Sequence, residues 1–125
     1  MLRLGFPVLG VADLDRAATF WSTALDLRDS ARWASDTWRT LVTEAGEEAL
    51  GLMRSGSPVE PRPRVHVDLF VDSVEEQQTE VRRLLELGAA DPGWTDYPEN
   101  PDFVVLADPD GNLFCVVDLS HAPSS

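Results

Sequence analysis

Two short apolar runs, Phe6-Pro-Val-Leu-Gly-Val11 and His66-Val-Asp-Leu-Phe-Val71, each lead into an amphipathic stretch, and each stretch closes on a Leu-x-Leu pair, Leu25/Leu27 and Leu85/Leu87. An apolar run followed by helical spacing predicts strand then helix, here written twice. Residues 2 to 11 predict the first strand. Leu14, Ala17, Ala18, Trp21 and Leu25 predict the buried stripe of the first helix, with Asp13 as its N-cap. Three strand candidates follow near 31 to 34, 38 to 44 and 49 to 54, separated by Ser35-Asp36 and Gly46-Glu47 turn signals.

The second half repeats this order. Arg64 to Val71 alternates as a strand, Ser73-Val-Glu-Glu76 reads as a capping box, and Val74, Val81, Leu84 and Leu85 form the apolar stripe of a helix that Gly88 stops. Strands are predicted around 91 to 95, 103 to 107 and 113 to 119, the last two joined as a hairpin through Asp108-Pro-Asp-Gly-Asn112. The fold class is therefore α+β: two tandem βαβββ units with curved mixed sheets and helices on the outer face. Two copies make a duplication, not a solenoid. The units cover 1 to 55 and 64 to 119. Residues 56 to 63, rich in Pro, Gly and Ser, link them, and the tail from 120 to 125 is expected to fray.

Composition narrows the reading. A chain of 125 residues with 43% hydrophobic content has enough apolar side chains for one domain with a shared core. No apolar run approaches a membrane span and no basic-then-apolar leader is visible, so a soluble, cytoplasmic protein is expected. The single cysteine, Cys115, excludes an internal disulfide and a multi-cysteine zinc site. The formal charge of −12 with no lysine argues against nucleic acid, which needs clustered cations, and is compatible with a cationic ligand. Absent lysine also removes Schiff-base chemistry.

The two βαβββ units, the Val71-Asp-Ser-Val-Glu-Glu76 lead into the second helix, the Leu85-Glu-Leu-Gly-Ala89 close and Asp108-Pro-Asp-Gly-Asn-Leu-Phe-Cys115 together resemble the vicinal oxygen chelate superfamily, and within it the bacterial glyoxalase/bleomycin-resistance group. That resemblance implies strands curled into a half-open cup, pairing into homodimers, and, in metal-dependent members, four His, Gln or Glu ligands from the first and last strands of each unit. Carried to this chain, those slots hold Phe6, Met53 (with Leu52 as the neighbouring register), His66 and Cys115. Only His66 matches the ligand pattern. Members of this superfamily include lyases, epimerases, dioxygenases, thiol transferases and drug-binding proteins, so the resemblance speaks for fold more than for activity.

Alternation gives a separate check on which side chains share the cup. With Val65, Val67, Leu69 and Val71 on one apolar face, His66, Asp68 and Phe70 take the other; by the same parity Leu4, Phe6 and Val8 belong to the cup in the first strand, and Leu113, Cys115 and Val117 in the last. His66 and Asp68 are candidates for a proton-transfer pair, although neighbours two apart on a strand stand roughly 7 Å from each other. A His/Asp/Cys metal set, with Glu44 as a further carboxylate, is conceivable but off the family plan. Cys115, among apolar neighbours, reads as a packed thiol more than a nucleophile. Trp33, Trp38 and Trp94 are candidate rim aromatics for a small ligand.

The leading expectation is a homodimeric protein that binds a small cationic or aromatic molecule at Phe6, Trp33, Trp38, Met53, His66, Asp68, Trp94 and Cys115, with no bound metal cofactor. The alternatives are a metal-dependent lyase, isomerase or dioxygenase using His66 with atypical ligands, and a non-catalytic scaffold whose cup is filled by its own side chains.

Overall fold

A computed structural model describes residues 1–121 and divides the chain into two compact units, Met1–Val59 and a second beginning at Glu60. The first contains β1 (Val8–Val11), α1 (Leu14–Leu25), β2 (Arg28–Ser35), β3 (Trp38–Val42) and β4 (Glu48–Arg54), in a sheet of order β1-β4-β3-β2. The second contains β5 (Val67–Val71), α2 (Val74–Leu87), β6 (Phe103–Ala107) and β7 (Leu113–Asp118), in a sheet of order β5-β7-β6. In both, the strand before the helix pairs in parallel with the last strand of its unit, and that last strand pairs antiparallel with the one before it.

Local chemistry places both helices where the sequence predicts them. Asp13 caps α1 by accepting from the Arg16 amide at 3.1 Å, and the helix buries Leu14, Ala17, Ala18, Phe20, Trp21 and Ala24. Val11, Leu41, Leu50 and Leu52 are buried too, on the face of the sheet that meets this stripe. Ser73 caps α2 through the Glu76 amide at 3.1 Å, while Glu76 reaches back to the Asp72 amide, one residue earlier than a capping box requires. The stripe of α2 differs from expectation. Leu84 is buried, whereas Val74 and Leu85 are exposed, and Gln77 takes an inward position, donating to the carbonyls of Val116 at 2.9 Å and Asp102 at 3.1 Å.

Three strand predictions are corrected. The first strand starts at Val8, not residue 2: Pro7 has no N–H to donate, and Met1, Leu2 and Leu4 are exposed. The fifth starts at Val67, so His66 and an 84% exposed Val65 precede it, just after Pro61 and Pro63. The strand expected at 91 to 95 is absent, leaving βαββ with only an Ala90–Ala107 bridge at that edge. Pro92, Pro98 and Pro101 interrupt any ladder there, and Gly93 has φ 73°. In place of a paired strand, the Tyr97 hydroxyl accepts from the Val105 amide of β6 at 2.8 Å.

The β6–β7 turn is as expected. The Asp108 carboxylate accepts from the amides of Asp110 (3.0 Å) and Asn112 (2.8 Å), and Gly111 supplies φ 90°. At the end of β7, Asp118 accepts from the amide and hydroxyl of Ser120, so the predicted tail begins with an ordered turn; residues 122–125 lie outside the described part. Among the described residues no helix is long and apolar enough to cross a membrane.

Candidate functional site

Strand register decides which side chains share each cup face. In the first unit Val8 pairs with Gly51, Gly10 with Met53, Trp38 with Met53 and Thr40 with Gly51. Residues paired across a sheet point to one side. Trp38, Thr40, Gly51 and Met53 therefore share the face away from α1, and Leu52, fully buried, faces the other way. This settles the register in favour of Met53.

That face is closed by its own side chains. A Cβ on Gly51 would lie 2.8 Å from the Phe6 ring and 2.9 Å from the Trp38 ring, so both rings rest on the glycine backbone. Their centroids are 6.3 Å apart, and the Trp38 indole N–H donates to the Thr40 hydroxyl at 2.7 Å, sealing Thr40 beneath it. Trp33 stands apart from this pair. It lies on edge strand β2 with φ 66°, 67% exposed, with the Arg32 guanidinium 5.2 Å from its ring. Glu44 lies in the turn after β3, where its carbonyl accepts from Arg28.

In the second unit Asp68 pairs with Cys115, Val105 with Cys115, and Phe103 with Val117, so the cup face carries Asp68, Cys115, Val105, Phe103 and Val117 as alternation predicts. These side chains line an open cavity of about 420 Å³, completed by His66, Trp94, Asp96 and Asp102. Four of the sequence candidates, His66, Asp68, Trp94 and Cys115, meet here. The cavity exists because the missing strand is a loop: residues 91 to 102 bring Trp94, Asp96 and Asp102 to the rim instead of adding a ladder to β6.

His66 and Asp68 are closer than strand geometry alone suggests. Nδ1 of His66 lies 2.9 Å from Oδ1 of Asp68, because His66 precedes the strand and is free to fold its ring back. An imidazole that donates from Nδ1 to a carboxylate keeps Nε2 as its acceptor, and the pairing orients the ring. Cys115 is buried, and its thiol is pushed up to about 11, first by burial and then by the charge of Asp68 and a hydrogen bond to it. A neighbouring carboxylate opposes thiolate formation, so in this state the thiol is a poor nucleophile.

Two features here were not legible as functional in the sequence. Asp102 lines the rim, its carbonyl held by the Gln77 side chain and the Asp118 amide; Gln77 reads as one polar position in a helical stripe, with nothing marking its reach. Arg62, read as linker, pairs with Asp96 and stands 5.7 Å from the Trp94 ring centroid. The Trp94 indole N–H is buried without a hydrogen-bond partner among the described residues.

The family's metal plan can be tested against these donors. Phe6 offers none, and the thioether of Met53 is a weak one, so the four-ligand set does not fit. What the second unit holds is different: ligand atoms of His66, Asp68 and Cys115 all lie within 4.8 Å of one another.

Comparison with known proteins agrees with this architecture. A glyoxalase/bleomycin resistance protein/dioxygenase family enzyme from Burkholderia phytofirmans superposes with TM-score 0.70 at 16% identity, covering 92% of this chain and 97% of that one. The hypothetical protein SA1046 of S. aureus gives 0.71 at 20%, covering 94% and 95%. The genomically encoded fosfomycin resistance protein of Listeria monocytogenes, in a variant complexed with Mn(II) and 1S,2S-dihydroxypropylphosphonic acid, gives 0.68 at 19%, covering 93% and 91%. No curated protein matches the sequence. Residues 7–117 match the glyoxalase-like domain family, and the chain belongs to that family, within the vicinal oxygen chelate superfamily.

Proposed function

We propose that this protein binds a small molecule with aromatic and cationic character in the cavity of its second unit, without the four-ligand metal centre of its metal-dependent relatives. The observation that carries this reading is the lining itself. Trp94, Phe103, Val105 and Val117 supply apolar surface, while Asp68 and Asp102 supply negative charge and Asp96 is paired with Arg62. A volume of about 420 Å³ falls within the range that small-molecule sites occupy, roughly 300–1,000 Å³. A few convergent polar groups on an apolar wall fix a ligand's orientation. Arg62 already stands against Trp94 and pairs with Asp96, so the negative charge that an incoming cation meets is that of Asp68 and Asp102.

The scaffold alternative fits only the first unit, whose cup is filled by Phe6 and Trp38. The second unit's cavity is open, which favours binding there. Titration of chelator-treated protein with a series of planar quaternary ammonium compounds, followed by tryptophan emission, tests the proposal. A saturable change that Asp102→Asn weakens about tenfold is expected from loss of one charge-assisted contact. No saturable change with any of these compounds overturns it.

A further inference from the structure

We propose that His66, Asp68 and Cys115 form a three-donor site for a thiophilic divalent cation of the zinc class, built wholly within the second unit. The disagreement with the family plan points to it. Two of the four slots of the family pattern hold Phe6 and Met53, which offer no strong donor, while the second unit holds a carboxylate at 68 and a thiol at 115 beside the imidazole at 66.

The geometry is set by the backbone. Asp68 and Cys115 are direct partners across the parallel β5–β7 pair, so their side chains leave the same face at neighbouring positions. His66 lies just outside β5 and turns Nδ1 onto Asp68 Oδ1 at 2.9 Å, a hydrogen bond that an ion replaces when both side chains turn to it. The result is nitrogen, oxygen and sulfur donors within 4.8 Å of one another. Tetrahedral zinc, with bonds of about 2.0–2.3 Å, separates its ligands by roughly 3.3–3.8 Å, so side-chain rotations of about an ångström close the set. Cys115 is buried whereas His66 and Asp68 are part-exposed on the cavity wall, so an ion has a path of entry.

Charge and softness select the ion. Binding releases the Cys115 thiol proton to solvent, and the resulting thiolate and the Asp68 carboxylate balance a divalent charge with a neutral imidazole as third donor, while Asp102 on the same cavity wall adds to the favourable field. A thiolate favours zinc or cobalt over manganese or magnesium, in contrast to the hard His, Gln and Glu set of the family pattern. Three protein ligands leave a fourth position open toward the cavity, the arrangement of reactive zinc sites.

This inference stands apart from the organic-ligand reading, which is tested on chelated protein, so either can fail alone. The experiment is titration of chelator-stripped full-length protein with Co²⁺, read by visible and near-ultraviolet absorption and by metal content after dialysis. One Co²⁺ per chain is expected, with a thiolate-to-cobalt charge-transfer band that disappears in Cys115→Ser, and affinity about 10-to-100-fold lower in Asp68→Asn. Equimolar Zn²⁺ should displace the cobalt and equimolar Mn²⁺ should not. Absence of saturable binding, a spectrum without the charge-transfer band, survival of that band in Cys115→Ser, or displacement by Mn²⁺ each overturns the proposal. Should Cys115→Ser fail to fold by circular dichroism, His66→Ala decides: its side chain is part-exposed, and unchanged cobalt affinity in that variant overturns the site equally.

Discussion

The two units share a strand order around the helix, yet one has closed its cup and the other has kept it open. In the first, Phe6 and Trp38 lie on Gly51 and Trp38 covers Thr40; in the second, His66, Asp68 and Cys115 face a cavity rimmed by Trp94 and Asp102. The same backbone plan thus lays rings over the cup face of one unit and leaves a lined cavity in the other. The difference comes from a few positions. A glycine at 51 admits two rings, and a proline-interrupted loop at 91 to 102 leaves β6 without a regular neighbouring strand.

The largest expected effect concerns the thiol in the open cup. With its pKa pushed up to about 11 by burial and by Asp68, Cys115 should react with iodoacetamide at pH 8 roughly two orders of magnitude more slowly than a free thiol. A rate equal to that of free cysteine breaks the reading of a protected group. The sign of the linked stability follows from the same shift. The folded value lies above the ordinary 9.0, so the thiol contributes fully below about pH 9, and that contribution is lost as pH rises toward 11. Urea midpoints between pH 8 and 11 should fall more steeply for the wild type than for Cys115→Ala.

Removing the covering aromatic from each cup should separate packing from binding. Trp38→Ala is expected to cost about 2 kcal/mol, since a half-buried ring is lost and the Thr40 hydroxyl loses its donor. Trp94→Ala, removing a part-exposed ring whose N–H has no partner among the described residues, should cost less than half of that while abolishing the ligand-induced fluorescence change. Equal stability losses in urea denaturation would dissolve the distinction between the units. Next in size is Gln77→Ala. It withdraws a donor from the Val116 and Asp102 carbonyls and should cost about 1–2 kcal/mol, with weaker ligand binding because Asp102 at the rim is less firmly held.

The smallest effect within the first cup is expected from Gly51→Ala, about 1 kcal/mol. The added Cβ meets ring edges at 2.8 and 2.9 Å, and Phe6 lies outside the strand where it can yield. An unchanged thermal midpoint would show that the first cup is looser than its ring contacts indicate.

Much of this was legible in the chain. Period and capping residues located both helices, and parity placed Asp68 and Cys115 on one face, because side-chain direction in a strand follows from residue count. Strand ends were less legible. Residues 2 to 7 and 64 to 66 continue the alternation of the strands they precede, yet prolines beside them withhold backbone donors. Residues 91 to 95 failed as a strand for the same reason. The predicted separation of His66 from Asp68 was too large because it assumed both sat in one ladder.

The sequence by itself determined that there are two related halves, that Phe6 and Met53 offer no strong metal donor, and that the chain is strongly acidic. These are properties of residue identity and spacing. Only the tertiary structure decided that Phe6 and Trp38 fill one cup, that Trp94 joins the other while Trp33 stands outside, and that His66, Asp68 and Cys115 converge. Such convergence depends on which backbone positions pair between strands far apart in the chain. Register of that kind is fixed by the packing of both sheet faces at once, and no local stretch of residues contains it.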